Sequence, residues 1–246
     1  MKVSKRDTCL FLITLCIAGA TATAALRSKN NLLPNQEQQE DINQFPLADS
    51  TAPKPTDPKK IAKKKAKSKK YAQYKDNVGP GVVKASAVYH WPPDFPELPV
   101  AQSDAVIVGV VSEATAELTE DESSVYSEFT IDINEVLKND NQGPLSPNTS
   151  IIVDRPGGRV KYGTGHISLF WLQGFGMPRK GRQYVLFIKR GGPDEDYQII
   201  TGYEIRQGRV WPLDTSTSSD TNFGIYTNSD AVSFLSKIRY AVAKAS

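Results

Sequence analysis

The chain has 246 residues, thirty basic against twenty-seven acidic, a net charge of +3, two cysteines and two histidines. Both cysteines, Cys9 and Cys16, precede Leu26, so the rest of the chain has no thiol, which excludes disulfide bracing, a cysteine nucleophile and thiolate metal sites. A chain of this length has the residues to build a core without those braces.

The charge is unevenly placed. Residues 1–100 carry sixteen basic and nine acidic side chains, a net of +7, and residues 101–246 carry fourteen and eighteen, a net of −4. The pattern is a basic arm joined to an acidic domain.

In chain order, Lys2, Lys5 and Arg6 precede an apolar run from Cys9 to about Gly19, followed by small residues with candidate A-x-A sites at 20–22 and 22–24. That is the build of a secretory signal. Within the same segment, 1–26, Cys9 to Leu26 is also roughly the 18 residues at the lower edge of a membrane span, so a retained anchor or an internal apolar helix are the competing readings. A signal or an anchor places the remainder outside the cytoplasm, as a secreted, periplasmic or membrane-anchored protein.

Residues 27–100 are poor in apolar side chains and rich in Pro, Gln and Lys, which predicts a disordered tether. Its centre is PKKIAKKKAKSKK, with Lys59, Lys60, Lys63, Lys64, Lys65, Lys67, Lys69 and Lys70. A helix there would set Lys59/Lys63, Lys60/Lys64, Lys63/Lys67 and Lys65/Lys69 as like-charged i,i+4 neighbours, so the arm is expected to be extended until an anionic partner relieves the repulsion. Candidate roles are contact with an anionic envelope surface or polymer, a self-repelling spacer, and nucleic-acid binding through phosphates. Export and the net acidic domain weigh against nucleic acid.

From Ala101 onward, short alternating runs separated by turn residues predict an all-β domain, 101–246. AVIVGVV at 105–111 reads as a strand buried on both faces. An acidic loop, ELTEDESS, follows. VYSEFTIDINEVLK then places Phe129, Ile131 and Ile133 on one face, with Thr130, Asp132 and Asn134 on the other. SIIVDR, RVKY, HISLFWL, YVLFIKR, YQIITGYEIR and RVWPL are the further strands. SDAVSFLSKIRYAVAKA sets Ala231, Phe234, Leu235, Ile238, Ala241, Val242 and Ala245 on one stripe behind a Ser229 or Asp230 cap, which predicts a C-terminal helix lying on the sheet.

The order DAVIVGVV, a strand ending EVLKND, SIIV and GRQYVLFIKR resembles the OB-type barrel of the netrin and TIMP-like superfamily, in which a V-x-G-x-V strand precedes a strand with a lysine-containing turn and a later G-x-x-Y-hydrophobic strand. The resemblance covers roughly residues 104–213 and implies a single OB-like β-barrel. Protease inhibition by the animal members depends on a cysteine-anchored amino terminus, and the cysteine-free domain here does not carry that function over. The sequence is also similar to exported bacterial proteins of no assigned activity.

Catalytic signatures are sparse. There is no G-x-S-x-G elbow. His90 lies in the proline-rich segment, and His166, with Asp154 as a conceivable orienting acid, is the only histidine for an unrecognised hydrolase. No cofactor or metal is expected: H-x-x-x-H and D-x-D-x-D-G are absent, and 120–122 and 194–196 are acidic loops. A possible recognition surface for a protein, peptide or glycan is Trp171, Phe175, Met177, Arg179, Lys180 and Arg182, which combine aromatics, a methionine and three basic groups. The expectation is a non-enzymatic, extracytoplasmic binding or structural module, with membrane contact through the leader if it is uncleaved.

Overall fold

The computed structural model describes residues 42–72, 84–88, 91–92, 94–139, 143–191, 196–215 and 223–245. The expected leader, the first part of the tether through residue 41, and His90 lie outside them.

Two sets of hydrogen-bonded strands carry the fold, which is mainly β with a C-terminal helix. The smaller contains β1 (Leu47–Asp49), β2 (Lys84–Val88), β6 (Gly158–Lys161) and β7 (Ile167–Gln173), in the order β1–β6–β7–β2. The larger contains β3 (Ala105–Leu118), β4 (Val125–Lys138), β5 (Ser150–Pro156), β8 (Gln183–Arg190), β9 (Tyr197–Arg206), β10 (Arg209–Pro212) and β11 (Ser229–Asp230). Its order is β11–β10–β9–β5–β4–β3–β8, and β8 pairs again with β9. Pairing therefore passes from β3 through β4, β5, β9 and β8 back to β3. Within that circuit only β5–β9 is parallel.

The strands follow from their side-chain patterns. The near-continuous apolar run of β3 feeds two cores: Val106 and Val108 join one cluster, while Ala105, Ile107 and Val111 join the other. Along β4, Phe129, Ile131 and Ile133 are buried with Val153, Leu186, Ile188 and Ile199, and Asp132 and Asn134 face solvent, as strict alternation requires. Gly109 is needed where β3 crosses β4, because a Cβ there would sit 2.8 Å from the Asp132 carbonyl oxygen and 2.5 Å from Ile131 Cγ2. β3 continues past Val111 to Leu118, so the acidic connection shrinks to residues 119–124.

The C-terminal helix α2 (Ala231–Ala245) forms where its apolar stripe predicts it. Asp230 caps it by accepting from the Ser233 amide at 2.9 Å, a bond that also lowers the pKa of the Asp230 carboxyl. Ala231, Phe234 and Ile238 are buried against Tyr203, Val210 and Phe223.

The expectation of a disordered tether fails over residues 42–72. Here β1 pairs in parallel with β6, and the lysine run is a second helix, α1 (Pro58–Tyr71). Among the described residues, no helix is long and apolar enough to cross a membrane.

Candidate functional site

Local chemistry starts α1 cleanly. Asp57 takes an extended conformation and its carboxylate accepts from the Lys59 amide at 2.9 Å, while Pro58 stands at the first helical position, where no amide hydrogen is needed. Lys69 and Lys70 lie in the last turn, where positive charge suits the helix dipole. The remaining obstacle is lysine–lysine repulsion, and the β-sheet relieves it for the lysines that face it.

At about 100° per residue, Lys63, Lys64, Lys67, Lys70 and Tyr71 fall on one side of the helix. Each of them meets a carboxylate or an aromatic ring of the sheet. Lys64 pairs with Glu117 of β3 at 2.6 Å, and Lys63 with Asp196 at 2.7 Å. Lys67, 5% exposed at its side chain, reaches Glu128 of β4 and Asp196, both at 2.5 Å, and Asp154 of β5 at 3.3 Å. Lys70 donates to Asp154 at 2.9 Å, and the Tyr71 hydroxyl donates to the same oxygen. The Tyr71 ring stacks on Tyr126 with centroids 5.1 Å apart, and the Ser68 hydroxyl oxygen accepts from the Glu120 amide.

Four lysines thus face four carboxylates, and the i,i+4 pair Lys63/Lys67 shares Asp196 instead of repelling across water. Burial opposes charge on Lys67, but the carboxylates of Asp154, Glu128 and Asp196 outweigh it and hold the ammonium above its ordinary pKa. Burial first, then the same acids, push the Tyr126 hydroxyl up as well. The correction to the expected anionic contact is direct: Lys63, Lys64, Lys67 and Lys70 are engaged by this chain's own carboxylates. Lys59, Lys60, Lys65 and Lys69 are exposed.

The expected recognition surface around 170–182 does not form as a surface. Phe175 and Met177 are buried, and Trp171 is half-buried with its indole donating to the Phe175 carbonyl at 3.1 Å. Phe175 stacks on Trp91 at 5.3 Å and lies under the Arg155 guanidinium. Arg155 is fully buried; it donates to Asp214 at 2.7 Å and to the Gly176 carbonyl at 2.7 Å, and Asp214 accepts from the Gly176 amide at 2.9 Å. The connector between β7 and β8 is therefore pinned by a buried ion pair that the residue pattern of 170–182 does not contain. Of its basic residues, Lys180 is exposed, Arg179 is half-buried, and Arg182, exposed, approaches Glu204 at 3.7 Å. Tyr184, whose hydroxyl accepts from the Arg179 amide at 3.0 Å, is pushed up to about 12, chiefly by burial.

His166 sits in the turn between β6 and β7, its ring 6.5 Å from that of Tyr162. The imagined pairing with Asp154 is not made, since both Asp154 oxygens are taken up by α1. Asp121 braces its own turn by accepting from Thr119 and Ser123. Among the described residues, no group of three or more His, Cys, Asp and Glu side chains is arranged to hold a metal.

The carboxylate set Glu117, Glu128, Asp154 and Asp196 was not legible as a site, because its members come from four segments that meet only after the sheet forms. Asp57-Pro58 ahead of the lysines was a usable helix-start signal. No family model, no curated protein and no solved structure matches the chain.

Proposed function

We propose that the protein is an extracytoplasmic, non-enzymatic binding or structural module in which the exposed lysines of α1 contact an anionic envelope surface or polymer. The observation that carries this reading is the division of the lysines: Lys63, Lys64, Lys67 and Lys70 fix the helix to the sheet, and Lys59, Lys60, Lys65 and Lys69 are left toward solvent. Export is supported by the leader-like residues 1–26.

The scaffold, in the same proposal, is an OB-type barrel as in the netrin and TIMP-like superfamily. Its support is the β3–β4–β5–β9–β8 pairing circuit with one parallel pair. Nucleic-acid association is the weaker reading, because the leader-like residues 1–26 favour export and residues 101–246 carry a net charge of −4.

Co-sedimentation with anionic phospholipid vesicles, neutral vesicles and duplex DNA tests the proposal. Binding to the anionic vesicles should fall with salt and should weaken by about 1 kcal/mol for each of Lys59, Lys60, Lys65 and Lys69 replaced by Ala. Tighter binding to DNA than to vesicles, or a mature protein retained inside the cell with Met1 intact, would overturn it.

A further inference from the structure

The surface of α1 that meets the sheet holds its most closely grouped lysines. Lys63, Lys67 and Lys70 are adjacent on one side of the helix, so they form the densest positive stripe of the arm, and that stripe is covered by Asp154, Glu128 and Asp196. With Lys64 on Glu117, the contact is four positive charges against four negative ones.

This contact is made almost wholly of charge. Of the fourteen residues of α1 only Lys67, Ser68 and Tyr71 are buried, and its one large aliphatic side chain, Ile61, is 43% exposed. Apolar burial, which resists salt, is confined to the last turn, where Tyr71 is fully buried against Tyr126. The outer pairs, Lys63–Asp196 and Lys64–Glu117, are partly exposed and lose strength as the Debye length shortens, from roughly 10 Å at 0.1 M to about 3 Å at 1 M salt, whereas the buried Lys67–Asp154 centre is screened much less. Few buried apolar contacts also mark an element that opens at low free-energy cost.

Undocking would not detach the segment. β1 ends at Asp49 and is held by β6, and β2 begins at Lys84 and is held by β7, so α1 is a strap anchored on both sides.

We propose that the docking of α1 is autoinhibitory: Glu117, Glu128, Asp154 and Asp196 withhold Lys63, Lys64, Lys67 and Lys70 from external polyanions, and the strap must leave the sheet before all eight lysines can bind one. The inference rests on α1 being the anion-contacting element and adds its regulation. Linkage requires reciprocity: whatever factor docking removes from polyanion affinity, a bound polyanion removes from docking.

The experiment compares the full chain with Glu128→Gln/Asp196→Asn, which removes two charges facing Lys67, and with Asp132→Asn/Glu135→Gln. The latter removes two charges whose partners are Ser112, Ser150 and Arg239. Each is titrated against vesicles of phosphatidylcholine and phosphatidylglycerol, and amide hydrogen exchange of residues 58–71 is followed from about 0.05 to about 0.5 M salt. Autoinhibition requires Glu128→Gln/Asp196→Asn to bind more tightly, by roughly fivefold for each lysine released, with the control pair close to the unaltered chain. It also requires exchange in 58–71 to accelerate with salt while β3–β5 stay protected. Equal binding by the two variants overturns autoinhibition, as does exchange indifferent to salt. If none of the three proteins binds vesicles while exchange still responds to salt, the surface-contact reading fails, autoinhibition toward such surfaces fails with it, and a salt-released strap is left.

Discussion

Two helices of the described residues rest on the β structure, and they are held by opposite means. α2 lays Phe234 and Ile238 into a cluster with Tyr203, Val210 and Phe223, a contact driven by removing apolar area from water. α1 lays Lys63, Lys64, Lys67 and Lys70 onto four carboxylates, with Tyr71 on Tyr126 as its main apolar contribution. A contact of the first kind persists at any ionic strength and identifies itself in sequence. The second exists only in the company of its partner, and it answers to salt, pH and competing ions.

The largest expected effect lies on the apolar side. Phe234→Ala should destabilise the fold by about 3–5 kcal/mol, since the ring is fully buried, and the loss should be the same at low and high salt in a denaturant titration. On the charged side, Lys67→Ala leaves Glu128, Asp154 and Asp196 converging without their shared ammonium. We expect about 2 kcal/mol against docking of α1, less than for a dry pair because Glu128 and Asp196 keep some solvent contact, and the loss should shrink only in part at high salt because Lys67 and Asp154 are buried. Hydrogen exchange of residues 58–71 measures it.

Alkali separates the helices more gently. The pKa of Lys67 is raised by docking, so its contribution is complete below the ordinary lysine value of about 10.4 and is lost as pH rises through the raised one. Tyr126, raised chiefly by burial, acts with the same sign, since burial favours its neutral form and ionisation above the ordinary tyrosine value of about 10 opposes docking. Exchange in α1 should therefore rise above about pH 10 before that of α2 changes. Smallest is the cap: Asp57→Ala should cost α1 about 1 kcal/mol, read as faster exchange in its first turn.

The same contrast explains what could be read from the residues alone. β4, bounded by Val125 and Lys138, and the stripe of α2 were legible because apolar periodicity records a buried face without naming its partner. The lysine helix was not, because charge complementarity between residues 53 to 129 positions apart leaves no local trace, whereas the i,i+4 repulsion is local and points the wrong way. Composition likewise made Phe175 and Met177 look like a surface, when Arg155 and Asp214 draw that segment into the core. β1 and β2 escaped notice for another reason: a three-residue strand and KASAV carry too few side chains for alternation to register.

Paramagnetic labelling tests the central claim, that the lysine run is a helix latched to this chain's own acidic face, most directly. With Cys9 and Cys16 replaced by Ser, the chain has no thiol, and a spin label on Ala66→Cys would stand on the exposed side of α1 next to Lys67. At low salt the amides around Glu128, Asp154 and Asp196 should broaden, and they should recover at high salt while those of α2 do not change. Undisturbed amides at low salt would contradict the account and return residues 58–71 to a free tether.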